Sequence, residues 1–105
     1  MSDPMIEEVS GIFHALSDPS RLKILRSLLE SKKPLSQGQV AEVAGLSQAN
    51  ASKHLALLVR ERLVLRSPDG NTVFFSPVSP LVPQVCDLMC GHVTQRIKLA
   101  YQSIK

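Results

Sequence analysis

At 105 residues, with 44% hydrophobic and 20% charged residues, the chain has the make-up of one small globular domain rather than a disordered segment. A formal charge of +3 and an isoelectric point near 9.1 permit a polyanionic partner without demanding one. There is no run of about 18 apolar residues, no basic leader with an apolar core and no disulfide-rich pattern, so no membrane association and a reducing, cytoplasmic setting are expected.

A core of this size is marginal, and a partner chain would help it. The first predicted helix runs from Met5 to Leu16, with Met5, Ile6, Val9, Ile12, Phe13 and Leu16 as a broad apolar stripe and His14 as a surface or packing residue. Ser17-Asp18-Pro19 stops it and starts the next, since Asp18 is a good N-cap and Pro19 suits the first helical position. Leu22, Leu25, Leu28 and Leu29 carry the apolar face of helix two to about Ser31, and Arg21, Lys23 and Arg26 are read as solubilising. After the basic turn Lys32-Lys33-Pro34, Ser36 caps a short helix from Gln37 to Ala44, with Val40, Ala41 and Ala44 inward. Gly45 ends that helix with the residue best able to adopt positive φ.

Ser47 caps a fourth helix almost at once. Leu46, Leu55, Leu58 and Val59 fall on one face, while Gln48, Asn50, Ser52 and Lys53 fall off it. An apolar back and a front of short hydrogen-bonding groups with one cation suit the base edges and phosphates of a DNA major groove. Two helices joined by Ala44-Gly45-Leu46-Ser47 form a helix-turn-helix pattern. Leu63-Val64-Leu65-Arg66 and Thr72-Val73-Phe74-Phe75 are β-rich runs around the turn residues Ser67 to Asn71, which predicts a hairpin wing with Arg66 at its base and Asn71 at its tip. Both could reach a phosphate or the minor groove.

Ser79-Pro80 is expected to open the last helix, with Ser79 as cap and Pro83 still in the first turn. Cys86, Cys90, Val93, Ile97, Ala100 and Ile104 repeat at four and three, and Leu81, Val85, Leu88, His92 and Leu99 form a second stripe. One stripe would pack on the helix's own domain and the other on a second copy, aided by the first helix. The expected architecture is mainly α with a β-hairpin wing: a winged helix-turn-helix of about five helices, dimerised through its first and last helices. It is read as one domain over 1–105, with the helix-turn-helix at about 36–60, the wing at about 63–76 and the last helix at about 80–103.

Ala15-Leu16-Ser17-Asp18-Pro19-Ser20-Arg21-Leu22-Lys23-Ile24-Leu25 resembles the opening signature of ArsR/SmtB-type repressors. Gly45-Leu46-Ser47-Gln48 through Ser52-Lys53-His54-Leu55 is similar to their recognition helix, and Arg62-Leu63-Val64, Asp69-Gly70 and Phe74-Phe75 to their wing, so the likeness covers roughly residues 12 to 78. The resemblance implies a homodimer that binds an imperfect palindrome in double-stranded operator DNA and releases it when an inducer is sensed. It places base and phosphate contacts on Gln48, Ala49, Ser52 and Lys53, with Ser47, Asn50 and His54 close by. Gln48 and Asn50 can each read an adenine edge and Lys53 a phosphate or guanine, whereas His54 has the alternative of bonding inward to hold its helix.

The chain departs from the family's metal sensors. Ser36-Gln37-Gly38-Gln39-Val40-Ala41 holds no cysteine, which excludes their third-helix thiol site. Their zinc positions fall on Ser79, Leu81, His92 and Gln95, of which only His92 is a competent ligand. No cofactor is required. Cys86 and Cys90, one helical turn apart, have three readings: a thiol sensor of oxidant, persulfide or electrophile, a site for a thiophilic ion such as arsenite, cadmium or copper(I) to which a partner helix could add His92 or a second thiol pair, or small apolar residues in the dimer seam. Enzymatic chemistry has no support, because there is no glycine-rich phosphate loop and Cys86-Asp87-Leu88-Met89-Cys90 is not a Cys-x-x-Cys motif. The rival class is a winged helix used for protein interaction without DNA, against which stands the cationic set Lys53, Arg60, Arg62 and Arg66 beside a lone Glu61.

Overall fold

Four of the helix starts are written in side-chain hydroxyls and carboxylates. Ser2, Asp18, Ser36 and Ser47 each accept from the backbone N–H three residues on, those of Met5, Arg21, Gln39 and Asn50. At Ser36 the cap is reciprocal, because the Gln39 side chain accepts from the Ser36 N–H at 2.9 Å. The structure, a computed structural model, describes residues 1–104, with side chains through 103. Among these residues lie helices α1 (Asp3–Leu16), α2 (Pro19–Glu30), α3 (Gln37–Ala44), α4 (Gln48–Arg60) and α5 (Leu81–Ile104), and strands β1 (Leu35–Ser36), β2 (Val64–Asp69) and β3 (Thr72–Pro77).

The strands form an antiparallel sheet in the order β1-β3-β2. The hairpin closes tightly, with Asp69 opposite Thr72 and Gly70 at φ +62°, a conformation only glycine takes freely. The turn is therefore shorter than expected: Ser67, Pro68 and Asp69 belong to β2, with Pro68 opposite Val73. Proline is tolerated there because β2 is an edge strand, where a missing N–H breaks no inner ladder. The sequence reading missed β1, which pairs Leu35 with Phe75 and Ser36 with Phe74. Its two residues carry no periodicity, yet they join the wing to the cap of α3.

The core gathers around α2. Ile24, Leu25 and Leu28 meet Val40 and Ala44 of α3, Leu55 and Leu58 of α4, Leu63, Val64 and Phe75 at the wing, and Val82 of α5. The expected face of α2 is rotated: Leu22 is exposed and Ile24 is fully buried. In α1 only Ala15 and Leu16 are buried, while Met5, Ile6 and Phe13 of the predicted stripe are exposed, Phe13 at 62%.

The last helix departs most from expectation. It begins at Leu81, and Val78 and Pro80 carbonyls accept from Val82 and Gln84, so Ser79 is not its cap. Val82 is buried and Val85 and Cys86 pack partly on the core. From Asp87 to Ser103 every side chain is exposed, including Leu88 at 75% and Ile97 at 65%. Neither predicted stripe lies against the helix's own domain beyond Cys86, because the helix projects away and gives the protein extents of 57 × 37 × 23 Å. The Ile104 side chain of the first stripe lies outside the described residues. No described helix is long and apolar enough to cross a membrane. A helix pair with a short turn, backed by a third helix and flanked by a hairpin, is a winged helix-turn-helix.

Candidate nucleic-acid interface

The turn between α3 and α4 sets the geometry of everything it presents. Gly45 stands at φ +70° with its N–H on the Ala41 and Glu42 carbonyls, and Leu46 donates to the Ala41 carbonyl at 2.8 Å. Two residues later Ser47 Oγ accepts from the Asn50 N–H at 3.1 Å and opens α4. Ala51, Leu55 and Leu58 face the core with Val59 half-buried, so Ala51, unassigned from sequence, completes the inward face. Its small side chain lets α4 cross closely over α2 and α3.

The opposite face of α4 is open. Ser47, Gln48, Ala49, Asn50, Ser52 and Lys53 are all exposed, which brings the expected contact residues onto one surface at the helix N-terminus. Arg66 on β2 and Asn71 in the hairpin turn are exposed too. They line an open groove of about 350 Å³ with Ser36, Gln37 and Gly38, between the wing and the start of α3.

His54 is a correction. Its side chain is 13% exposed and faces α2 rather than the open surface. Nδ1 lies 3.4 Å from Arg21 Nη1, a group that can only donate, so Nδ1 is the acceptor in that contact, and Nε2 lies 3.9 Å from Asp18 Oδ2. Of the two roles weighed for His54, the inward one matches this position.

Arg21 is a second correction. Read from sequence as a solubilising cation, it is only 8% exposed. Its Nε donates to the Ala15 carbonyl at 2.7 Å and its Nη2 to the His14 carbonyl at 2.9 Å, satisfying the last-turn carbonyls of α1. Arg21 thus ties the end of α1 to the middle of α4. The signal was present: Arg21, Ile24, Leu25 and Leu28 are spaced as one helix face, and the face begins on the arginine. The Asp18 carboxyl is held below its usual range, chiefly by the Arg21 backbone N–H and then by the Arg21 charge, against the opposing effect of burial.

Gln37 was not singled out from sequence. Its Nε2 donates to the Gln48 side-chain Oε1 at 3.3 Å and to the Gln48 carbonyl at 3.4 Å. No local spacing could have found it, since the contact crosses the turn between two helices.

On α5, Cys86 and Cys90 are free thiols, the first half-buried and the second exposed. Cys86 lines a small apolar recess with Ile12, Leu16, Leu63 and Val85, and burial foremost, then Cys90 and Asp87, pushes its thiol up. His92 is exposed. Among the described residues of one chain, no three His, Cys, Asp or Glu side chains stand together as metal ligands.

The chain matches the helix-turn-helix domain family over residues 16–66. It is 35% identical over 79 residues to the nodulation protein NolR of Rhizobium meliloti, a match covering 75% of this chain and 63% of that protein. This stretch is thus less than two thirds of that relative's length. The crystal structure of NolR from Sinorhizobium fredii superposes with a TM-score of 0.73 at 32% identity, covering 85% of this chain and 90% of that one. The homodimeric winged helix-turn-helix domain of Mb0332 from Mycobacterium bovis, a possible ArsR-family regulator, superposes at 0.83 over 93% of this chain and 92% of its own. At 21% identity that likeness concerns the fold alone. With the recognition helix and the wing in the same order on the same fold, the chain belongs to the helix-turn-helix family of transcriptional regulators and carries the winged fold of the possible ArsR-family regulator Mb0332.

Proposed function

We propose that this protein is a cytoplasmic, sequence-specific repressor that binds an imperfect palindrome in operator DNA as a homodimer and lets go when an inducer is sensed. One observation carries the reading: α4 buries Ala51, Leu55 and Leu58 and leaves Ser47, Gln48, Ala49, Asn50, Ser52 and Lys53 open on the face opposite. In the complex α4 enters the major groove, its capped N-terminus meets a phosphate, Gln48 and Asn50 read base edges, and Lys53 neutralises a phosphate. Arg66 and Asn71 of the wing reach the neighbouring backbone or minor groove. His54 takes no DNA contact in this reading and holds α4 against α2.

The dimer is supported by apolar surface with nothing of its own domain to cover it. Met5, Ile6 and Phe13 of α1 and Leu88, Met89, Val93 and Ile97 of α5 are all exposed. Joining two copies there sets a pair of α4 helices about one duplex turn apart, roughly 34 Å, to match two half-sites.

The inducer input is placed at Cys86 and Cys90. A two-electron oxidant or persulfide that links thiols takes up two electrons and two protons and shifts α5, and with it the spacing of the two α4 helices; a thiophilic ion bridging the two copies would act on the same element. The competing reading, that both cysteines only pack, draws on the half-burial of Cys86 and its raised thiol. Operator affinity measured reduced, oxidised, persulfide-treated and with thiophilic metals, then with Cys86→Ser and Cys90→Ser, separates them: no treatment changing wild-type affinity by threefold makes the cysteines structural. For the DNA role itself, Gln48→Ala should cost about 1–3 kcal/mol on the cognate site and little on random duplex, while Lys53→Ala weakens both. Equal losses on both duplexes for Gln48→Ala would remove its base-reading role.

A further inference from the structure

An amide side chain is nearly symmetric in shape and opposite in chemistry at its two ends. Turning it by half a rotation swaps acceptor for donor at almost no steric cost, so a solvent-facing glutamine has no fixed polarity of its own. Gln48 is not left free in this way. Gln37 Nε2, which only donates, lies 3.3 Å from Gln48 Oε1, and in the reversed setting two NH₂ groups would face each other. Gln37 is an amide too, but the same Nε2 lies 3.4 Å from the Gln48 backbone carbonyl, which only accepts and so holds Gln37 in this setting; a single amide grips both backbone and side chain across the turn. Gly38 provides the seat. A Cβ at that position would stand 3.3 Å from Gln48 Nε2, tighter than ordinary packing, so the absence of a side chain lets the Gln48 amide lie along the start of α3.

We infer that Gln37 is a positioning residue for base recognition: with Gly38 as the seat, it fixes the order in which Gln48 presents acceptor and donor, and so makes Gln48 a reader of adenine. The inference rests on the DNA-binding reading above. With Oε1 turned to Gln37, one of its lone pairs and both hydrogens of Nε2 remain for a base. Adenine offers a matching donor at N6 and acceptor at N7, whereas guanine offers two acceptors on the same edge and leaves Oε1 unpaired. Gln37 is itself half-buried and needs no contact with DNA to exert this effect.

The test begins by selecting a preferred duplex from a randomised pool with wild-type protein. Gln48→Ala, Gln37→Ala and Gln37→Glu are then titrated against that duplex, every single-base change within a half-site, and random DNA, with thermal melting as the control for folding. Wild type should favour adenine at one half-site position by roughly 5- to 150-fold, the span of one good bidentate pair, and Gln48→Ala should abolish that preference. Gln37→Ala should cut the same preference to within about threefold while leaving preferences elsewhere and random-DNA affinity unchanged, and Gln37→Glu should cut it further, since a carboxylate turns the Gln48 amide round. The inference fails if the Gln37 variants keep the adenine preference that Gln48→Ala loses. It fails equally if Gln37→Ala weakens every duplex alike, which is a packing or phosphate role. A wild-type protein that selects no sequence refutes the DNA-reading assignment itself, and that outcome is distinct because wild type and Gln48→Ala then behave the same.

Discussion

Arg21→Met removes the guanidinium that links α1 to α4 and keeps an unbranched stem of similar length. Two charge-assisted bonds disappear, at 2.7 Å to the Ala15 carbonyl and 2.9 Å to the His14 carbonyl, with the 3.4 Å contact to His54 Nδ1. The His14 carbonyl keeps Ser17 N–H and Oγ as donors, so the loss falls mainly on the buried Ala15 carbonyl. Bonds of this kind are worth about 1.5–3 kcal/mol each, and sparing one charge its desolvation returns part of the sum. The net cost should be about 2–3 kcal/mol, a lowering of the urea midpoint by about 1–2 M for a domain of this size. The assay is urea unfolding followed by circular dichroism at one fixed protomer concentration, so that any association contributes equally to every sample. Arg21→Lys should recover little, since a single ammonium cannot fork to both carbonyls. A midpoint within about 0.3 M of wild type, inside the error of such titrations, would refute the claim that Arg21 clamps the two helices.

Three further outcomes are expected. The lowered pKa of Asp18 means that the stability its carboxylate contributes is present above about pH 4 and is lost as the pH falls through the folded-state value. Asp18→Asn should therefore lie below wild type near neutrality and converge with it in acid; a gap that stays constant with pH would contradict this. In the monomeric Ile97→Glu variant at pH 7, an alkylating reagent should modify exposed Cys90 well before half-buried Cys86, whose thiol is pushed up, and peptide mapping that finds the reverse order would discount the burial argument. Ile97→Glu, at a 65% exposed site on α5, should leave the fold's melting behaviour intact in a monomer and shift the monomer–dimer equilibrium toward monomer by sedimentation. An unchanged dimer would place the interface elsewhere.

Features held by contacts within a turn or two of chain were legible in the sequence: the caps Asp18, Ser36 and Ser47, the Gly45 turn, and the wing's order after α4. Alternation and spacing report which side of an element is apolar, and that fixed the open face of α4. They do not report what that side meets. Hence one stripe of α5 is expected on its own core, when past Cys86 the helix projects outward. Arg21 went unrecognised because charge was read before position. β1 is too short to leave a pattern, and Gln37 meets Gln48 across 11 residues of chain and a turn, where only the packing of α3 on α4 brings them together. Those two are the elements nearest the proposed interface, where function and tertiary geometry coincide.

The most direct measurement is a fluorescence-anisotropy titration of wild-type protein against its selected duplex and a random duplex across a series of salt concentrations. The account predicts two protomers per duplex, tighter binding to the selected sequence, and an affinity that falls steeply as salt rises. Binding that ignores salt and sequence, or no binding in any state, would contradict the assignment of α4 as a reader of DNA.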